Sequence, residues 1–195
     1  MSPITATRQA AISSAIDAIR ANLSKGVSVE TLNRAKAELM ALAMRADLFS
    51  FEAYPLPTDD KPDNTYLIHC DDDGAYALYV NAGLPEQSYP PHDHGGAWAI
   101  VAGVTGKERH GVYVRNGETA TAAGQVLVEP GTAISMLPDG IHSINAEGPD
   151  ALLHLHLYAT TFETQGIRSQ YDLESGSRRQ FKFEDTETIL DARGR

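Results

Sequence analysis

The chain has 195 residues, a formal net charge of -10 and 42% hydrophobic residues. That is the length of about one domain, with enough apolar side chain for a buried core. The acidic balance excludes a nucleic-acid partner, whose phosphates ask for a basic surface, and disfavours an anionic membrane.

The single cysteine, Cys70, permits no internal disulfide and fits a reducing compartment; it reads as a small buried hydrophobe. The first residues hold no apolar signal segment, and no run approaches a membrane span. A soluble, cytoplasmic protein is expected.

Residues 6–23 carry Ile12, Ile16, Ile19 and Leu23 on one helical face, ending at Lys25-Gly26. Ser28 is set to cap a second helix with Glu30 in its first turn and a stripe of Leu32, Ala35, Leu39, Leu42 and Ala46. Residues 1–50 therefore read as a helical hairpin without chemistry of its own. Residues 51–65, rich in proline and acids, read as a linker. Residues 66–162 change character. Short apolar runs are separated by Gly, Pro and Asp turns, the pattern of an antiparallel β-barrel or sandwich. Residues 163–195 are polar and read as a segment wrapping the outside. The fold expected is mainly β, a small barrel with two N-terminal helices.

Three stretches of the barrel carry histidines. His92 and His94 flank Asp93 after two prolines, Pro90 and Pro91. In a strand both imidazoles would face one way and Asp93 the other. The prolines suit a strand's first residues, and Gly95 and Gly96 allow close approach of backbone or ligand. His142 follows a Pro-Asp-Gly turn. In ALLHLHLYA, the leucines Leu153, Leu155 and Leu157 share one face, and His154, His156 and Tyr158 share the other with Leu152. A polar row of rings opposite a leucine face belongs inside a barrel that holds a ligand. His69, His110 and Trp98 read as structural, with His69 also weighed as a pocket residue.

These residues resemble the cupins, and among cupins the thiol dioxygenases (cysteine dioxygenase and 3-mercaptopropionate dioxygenase). His92, His94 and Gly106 match the first cupin motif; Gly131, Pro138, Gly140 and His142 match the second. The motif's acid falls at Ala99, and thiol dioxygenases likewise bind metal with three histidines and no acid. The resemblance implies a cupin double-stranded β-helix, iron(II) on His92, His94 and His142, and dioxygen as co-substrate. Nickel and zinc also accept such ligands. It implies a Ser-His-Tyr row beside the metal, which His156 and Tyr158 match and where His154 replaces the serine. A cysteine that crosslinks to the tyrosine in animal cysteine dioxygenases corresponds to Ala99, so no crosslink can form. No arginine lies between Tyr66 and His69 to hold a carboxylate. Arg168, ten residues past Tyr158, stands where the mercaptopropionate branch has one. The activity implied is oxidation of a small thiol to its sulfinate. A three-histidine iron cupin cleaving a dicarbonyl compound, and a non-catalytic metal-stabilised binding cupin, are the alternatives. Small barrels often pair through exposed strands, so a homodimer is one expectation.

Overall fold

The computed structural model describes residues 2–58, 60–182 and 189–194. Helix α1 spans Pro3–Leu23 and α2 spans Val29–Ala43. α1 starts ahead of its apolar pattern because Ser2 caps it, accepting from the Thr5 amide, and Pro3 fills the first turn, where an N–H has no partner to lose. Ser28 caps α2 as expected, and Thr31 reaches back to the Ser28 amide. α2 ends before Ala46, which is exposed in a short turn, Ala46–Leu48; Leu48 takes the core position instead. No helix among the described residues is long and apolar enough to cross a membrane.

The strands are β1 (Asp63–His69), β2 (Ala75–Gly83), β3 (Ser88–His92), β4 (Ala99–Thr105), β5 (Glu108–Asn116) and β6 (Thr119–Val128). They continue with β7 (Ala133–Met136), β8 (Ile141–Ala146), β9 (Leu152–Thr160), β10 (Arg168–Asp172), β11 (Ser177–Phe181) and β12 (Ile189–Asp191). One sheet runs β12-β1-β2-β9-β4-β7 and the other β11-β10-β3-β8-β5-β6. From β2 to β9 the chain crosses between sheets at every connection except β5 to β6. This is a double-stranded β-helix.

Alternation along β9 explains how the layers meet. Leu153, Leu155 and Leu157 join Ile100 and Ala102 of β4 on the outer face of the first sheet. There they pack against Ile12, Ile16, Leu32 and Leu39 of the helices. The opposite face of β9 turns His154, His156 and Tyr158 into the space between the sheets.

Three boundaries differ from the sequence reading. β1 begins at Asp63, inside the expected linker, since Asn64 and Thr65 pair with Ala82 and Asn81 of β2. Pro90 and Pro91 lie within β3, not ahead of it. They coincide with a register shift between Tyr89 and His92 against β8, where a residue without N–H leaves the ladder intact on either side. The tail does more than wrap. β10 and β11 extend the second sheet beyond β3, and β12 pairs in parallel with β1; residues 183–188 of that tail lie outside the described residues. Cys70, just past the end of β1, is half-buried rather than buried: it packs against the edge of the inner core and has Arg193 Nη1 3.5 Å from its sulfur.

The seam of leucines predicts its own test. Leu155 is fully buried beneath the helices. Leu155→Ala should destabilise the protein by about 2–5 kcal/mol, read as a lower denaturant midpoint with an unchanged slope.

Candidate metal centre

His92 closes β3 and His94 lies in the loop just beyond it, so only one of the pair sits on the strand. The loop is nevertheless fixed. Asp93 accepts from the Gly95 amide at 3.1 Å and the Ser169 amide at 3.0 Å. Its other oxygen accepts from Arg115 at 2.7 Å. Gly95 has φ of 61°, and a Cβ there would lie 2.3 Å from the Gly166 carbonyl oxygen. Only glycine lets the loop cross that backbone.

His142 stands opposite His92 in the β3–β8 register. The three rings offer nitrogens that all lie within 4.8 Å of one another. His94 Nε2 and His142 Nε2 are 3.1 Å apart. Two ligands about 2.1 Å from one ion and at about a right angle would be about 3 Å apart, so the pair is spaced to share a metal. His92 Nδ1 lies 2.9 Å from the Pro90 carbonyl oxygen, to which it donates, leaving its Nε2 bare. Burial, followed by the charge of Arg168, lowers His92 to about 4 and holds His94 well below its ordinary value. Burial, then the neighbouring imidazoles, does the same for His142. Neutral imidazoles are what a divalent metal needs, and iron, nickel and zinc all suit this donor set. Ala99 is fully buried opposite Tyr158 in the β4–β9 register, so no carboxylate comes from that position.

The polar row of β9 lies beside this group. Tyr158 has its ring 5.3 Å from that of His94, and its hydroxyl is 3.3 Å from His156 Nδ1. His154 does not continue the row toward His156. Its Nδ1 is 2.8 Å from Oε2 of Glu108, a fully buried carboxylate on β5. The same oxygen is 3.2 Å from His110 Nε2. Burial alone would raise the Glu108 carboxyl. The charge of His154 and the hydrogen bonds of His110 and His154 outweigh it and hold Glu108 well below the usual carboxylate range. Neither Glu108 nor His110 stood out as functional in the sequence. The available signal was Glu-x-His on one strand face, which alternation turns inward together with a charge.

A cavity of about 220 Å³ meets the site at His92 and is lined further by His156, Tyr158 and Arg168. Arg168 is 3% exposed, with its guanidinium carbon 5.3 Å from the Phe162 ring and 5.9 Å from the Tyr158 ring. Asp63, Asn81, Tyr89 and Arg179 line the cavity as well. His69 is not among the lining residues. The β1–β2 register shifts between Leu67 and His69, and this bulge re-aims the ring to Asp71, 3.5 Å away.

No model of a protein family matches the chain, and no curated protein matches it in sequence. Solved structures resemble it in part. A DMSP lyase structure (RdDddP and RnDddQII) is 21% identical over 44% of this chain, with a TM-score of 0.35, and the chain spans 38% of that one. A double-stranded β-helix protein of Klebsiella pneumoniae is 15% identical over 63% of this chain and 89% of its own, with a TM-score of 0.47. KdgF from Halomonas sp. is 13% identical over 59% of this chain and 96% of its own, with a TM-score of 0.46.

The lowered histidines set a pH dependence. His92 falls from 6.5 to about 4, and His156 to about 3, in both cases chiefly through burial. Between those values and 6.5 the unfolded chain binds more protons than the folded one, so stability rises with pH. The metal-free protein should therefore lose thermal stability steadily as pH falls below about 6.5. His156→Gln should flatten that slope, as melting curves across the range would show.

Proposed function

We propose that the chain is an iron(II)-dependent thiol dioxygenase that converts a small, carboxylate-bearing thiol to its sulfinate. The observation that carries this reading is the juxtaposition of three convergent neutral imidazoles, without a carboxylate among them, with a cavity that holds Tyr158 and Arg168. His92, His94 and His142 would hold iron(II), which would supply one-electron reactivity towards dioxygen and a charge that favours thiolate over thiol, while the electrons that reduce dioxygen come from the thiol sulfur. The overall change is balanced: one thiol and one dioxygen give one sulfinic acid, with both oxygens on sulfur.

The chain's residues divide the remaining work. Arg168 presents a permanent cation on the cavity wall for the substrate carboxylate. Tyr158 places a hydroxyl beside His94, and His156 fixes where that hydroxyl points. Phe162 stacks on Tyr79, with ring centroids 4.3 Å apart, and this apolar wall keeps water from the thiol. Small size suits the cavity volume. A dicarbonyl substrate would favour an apolar cavity without cations; Arg168 and Arg179 both line this one, which supports the thiol reading.

The test is dioxygen uptake by anaerobically iron(II)-loaded protein given cysteine, cysteamine or 3-mercaptopropionate, with zinc-loaded protein as control. Uptake should saturate with a carboxylate-bearing thiol and be far weaker with cysteamine. No uptake with any thiol, from protein shown to hold iron, would sink the proposal. Arg168→Ala should raise KM roughly 10- to 100-fold, the worth of a hydrogen bond to a charged group. Tyr158→Phe should keep the metal and lower kcat roughly 10- to 100-fold, the range for loss of a side chain that supports a metal site from outside its ligands. Unchanged turnover in Tyr158→Phe would remove that residue from the chemistry.

A further inference from the structure

Glu108 is a carboxylate shut inside the barrel with no lysine or arginine beside it among the described residues. Burying such a group costs several kcal/mol unless strong hydrogen bonds replace water. Its neighbours are imidazoles alone, and one of them leads to the metal site. β5 turns Glu108 and His110 to the same inward face. β5 pairs with β8 so that His110 opposes Ile144 and Val112 opposes His142. His110 and His142 are therefore diagonal neighbours across the two strands, within reach of each other. Their Nδ1 atoms are 2.9 Å apart. The rings are 22° from coplanar with centroids 5.1 Å apart. That is the separation of two rings meeting edge to edge, nitrogen to nitrogen, and not of stacked faces.

The protons along this line follow from what each group can do. A carboxylate only accepts, so His110 Nε2 carries its proton toward Glu108. With Nε2 turned to Glu108, His110 offers Nδ1 as the acceptor, and the hydrogen of the 2.9 Å contact belongs to His142 Nδ1. That leaves the lone pair of His142 on Nε2, the atom facing His94 Nε2.

We propose that Glu108 and His110 are positioning residues that form a buried carboxylate–histidine relay behind His142, fixing its Nδ1–H tautomer and ring plane so that Nε2 is offered to the metal. The relay rests on the three-histidine metal reading and adds to it a negative charge one ring removed from the ligand. Such a partner strengthens the ligating nitrogen as a donor. The same carboxylate accepts from His154 Nδ1, so it ties the β9 row of the first sheet to the ligand strand of the second. Glu108, His154 and His156 can also bring ligand atoms within 4.8 Å of one another. Oε2 of Glu108 already takes the imidazole hydrogens of His110 and His154, which leaves Oε1 and the unpartnered Nε2 atoms of His154 and His156 as the set a second ion would need.

Two measurements on the full chain test the relay. Long-range proton–nitrogen NMR of the metal-free wild type at neutral pH reports which ring nitrogen of each histidine carries hydrogen. His142 should be the Nδ1–H form and His110 the Nε2–H form. Zinc(II) affinity, measured by competition with a chromogenic chelator, should fall roughly 10- to 100-fold in Glu108→Gln and in His110→Phe. The double variant should bind no worse than the weaker single one, because both break the same line. His110→Asn, whose amide oxygen can accept from His142 Nδ1, should recover part of the loss. A wild type with His142 in the Nε2–H form overturns the relay without touching the metal reading, and it does so even if a variant fails to fold. Additive losses overturn it too, as does a second zinc per chain that Glu108→Gln abolishes. A wild type that takes up no zinc would instead sink the metal centre itself.

Discussion

Six of the seven histidines, His92, His94, His110, His142, His154 and His156, lie with Glu108 between two sheets. Buried polar groups must find partners, and this requirement organises the molecule's interior. The interior meets it in two ways. Three rings turn nitrogens toward one another at a spacing that suits a shared cation. The others arrange themselves around Glu108, which accepts from two imidazoles at once. The two arrangements share an edge at His110 and His142, so neither can shift alone.

β9 bears the tension between this interior and the rest of the fold. Its leucines seal the helices onto the outer face of the first sheet, and its rings furnish the inner face. Because side chains alternate with a period of two, a one-residue slip would put Leu155 into the site and His154 beneath the helices. Both outcomes are costly, so the apolar seam and the polar row enforce one register together. The helical hairpin, which touches no reacting group, thereby contributes to the site's geometry.

Much of this was legible in the chain. Leucine and histidine alternation announces two-faced β9, and His92, His94 and His142 stand at cupin spacings; Ser28 marks a cap by composition alone. What escaped depends on contacts that no linear pattern contains. His69 keeps the inward parity of Thr65 in the sequence, but a bulge after Leu67 turns it toward Asp71. His94 leaves the strand because Asp93 accepts amides from Gly95 and from the distant Ser169. The partnership of Glu108 with His154 crosses from one sheet to the other, and that of His110 with His142 runs diagonally between strands. The tail strands pair with β3 and β1, far away in sequence, and their polar residues carry no periodic signal.

The placement of the Glu108 carboxylate bears on the chemistry. A carboxylate at the position of Ala99 would bond to the ion, neutralise half of its charge and fill a coordination site. From Glu108 it acts through an imidazole ring instead. On the reading proposed here, the ion keeps its full charge where an anionic sulfur approaches, and Arg168 adds a second cation for the other end of the substrate. The carboxylate's field reaches the centre only as a firmer hold on His142. Attraction of an anion and strength of ligation, which compete when an acid binds the metal directly, are thus assigned to different side chains.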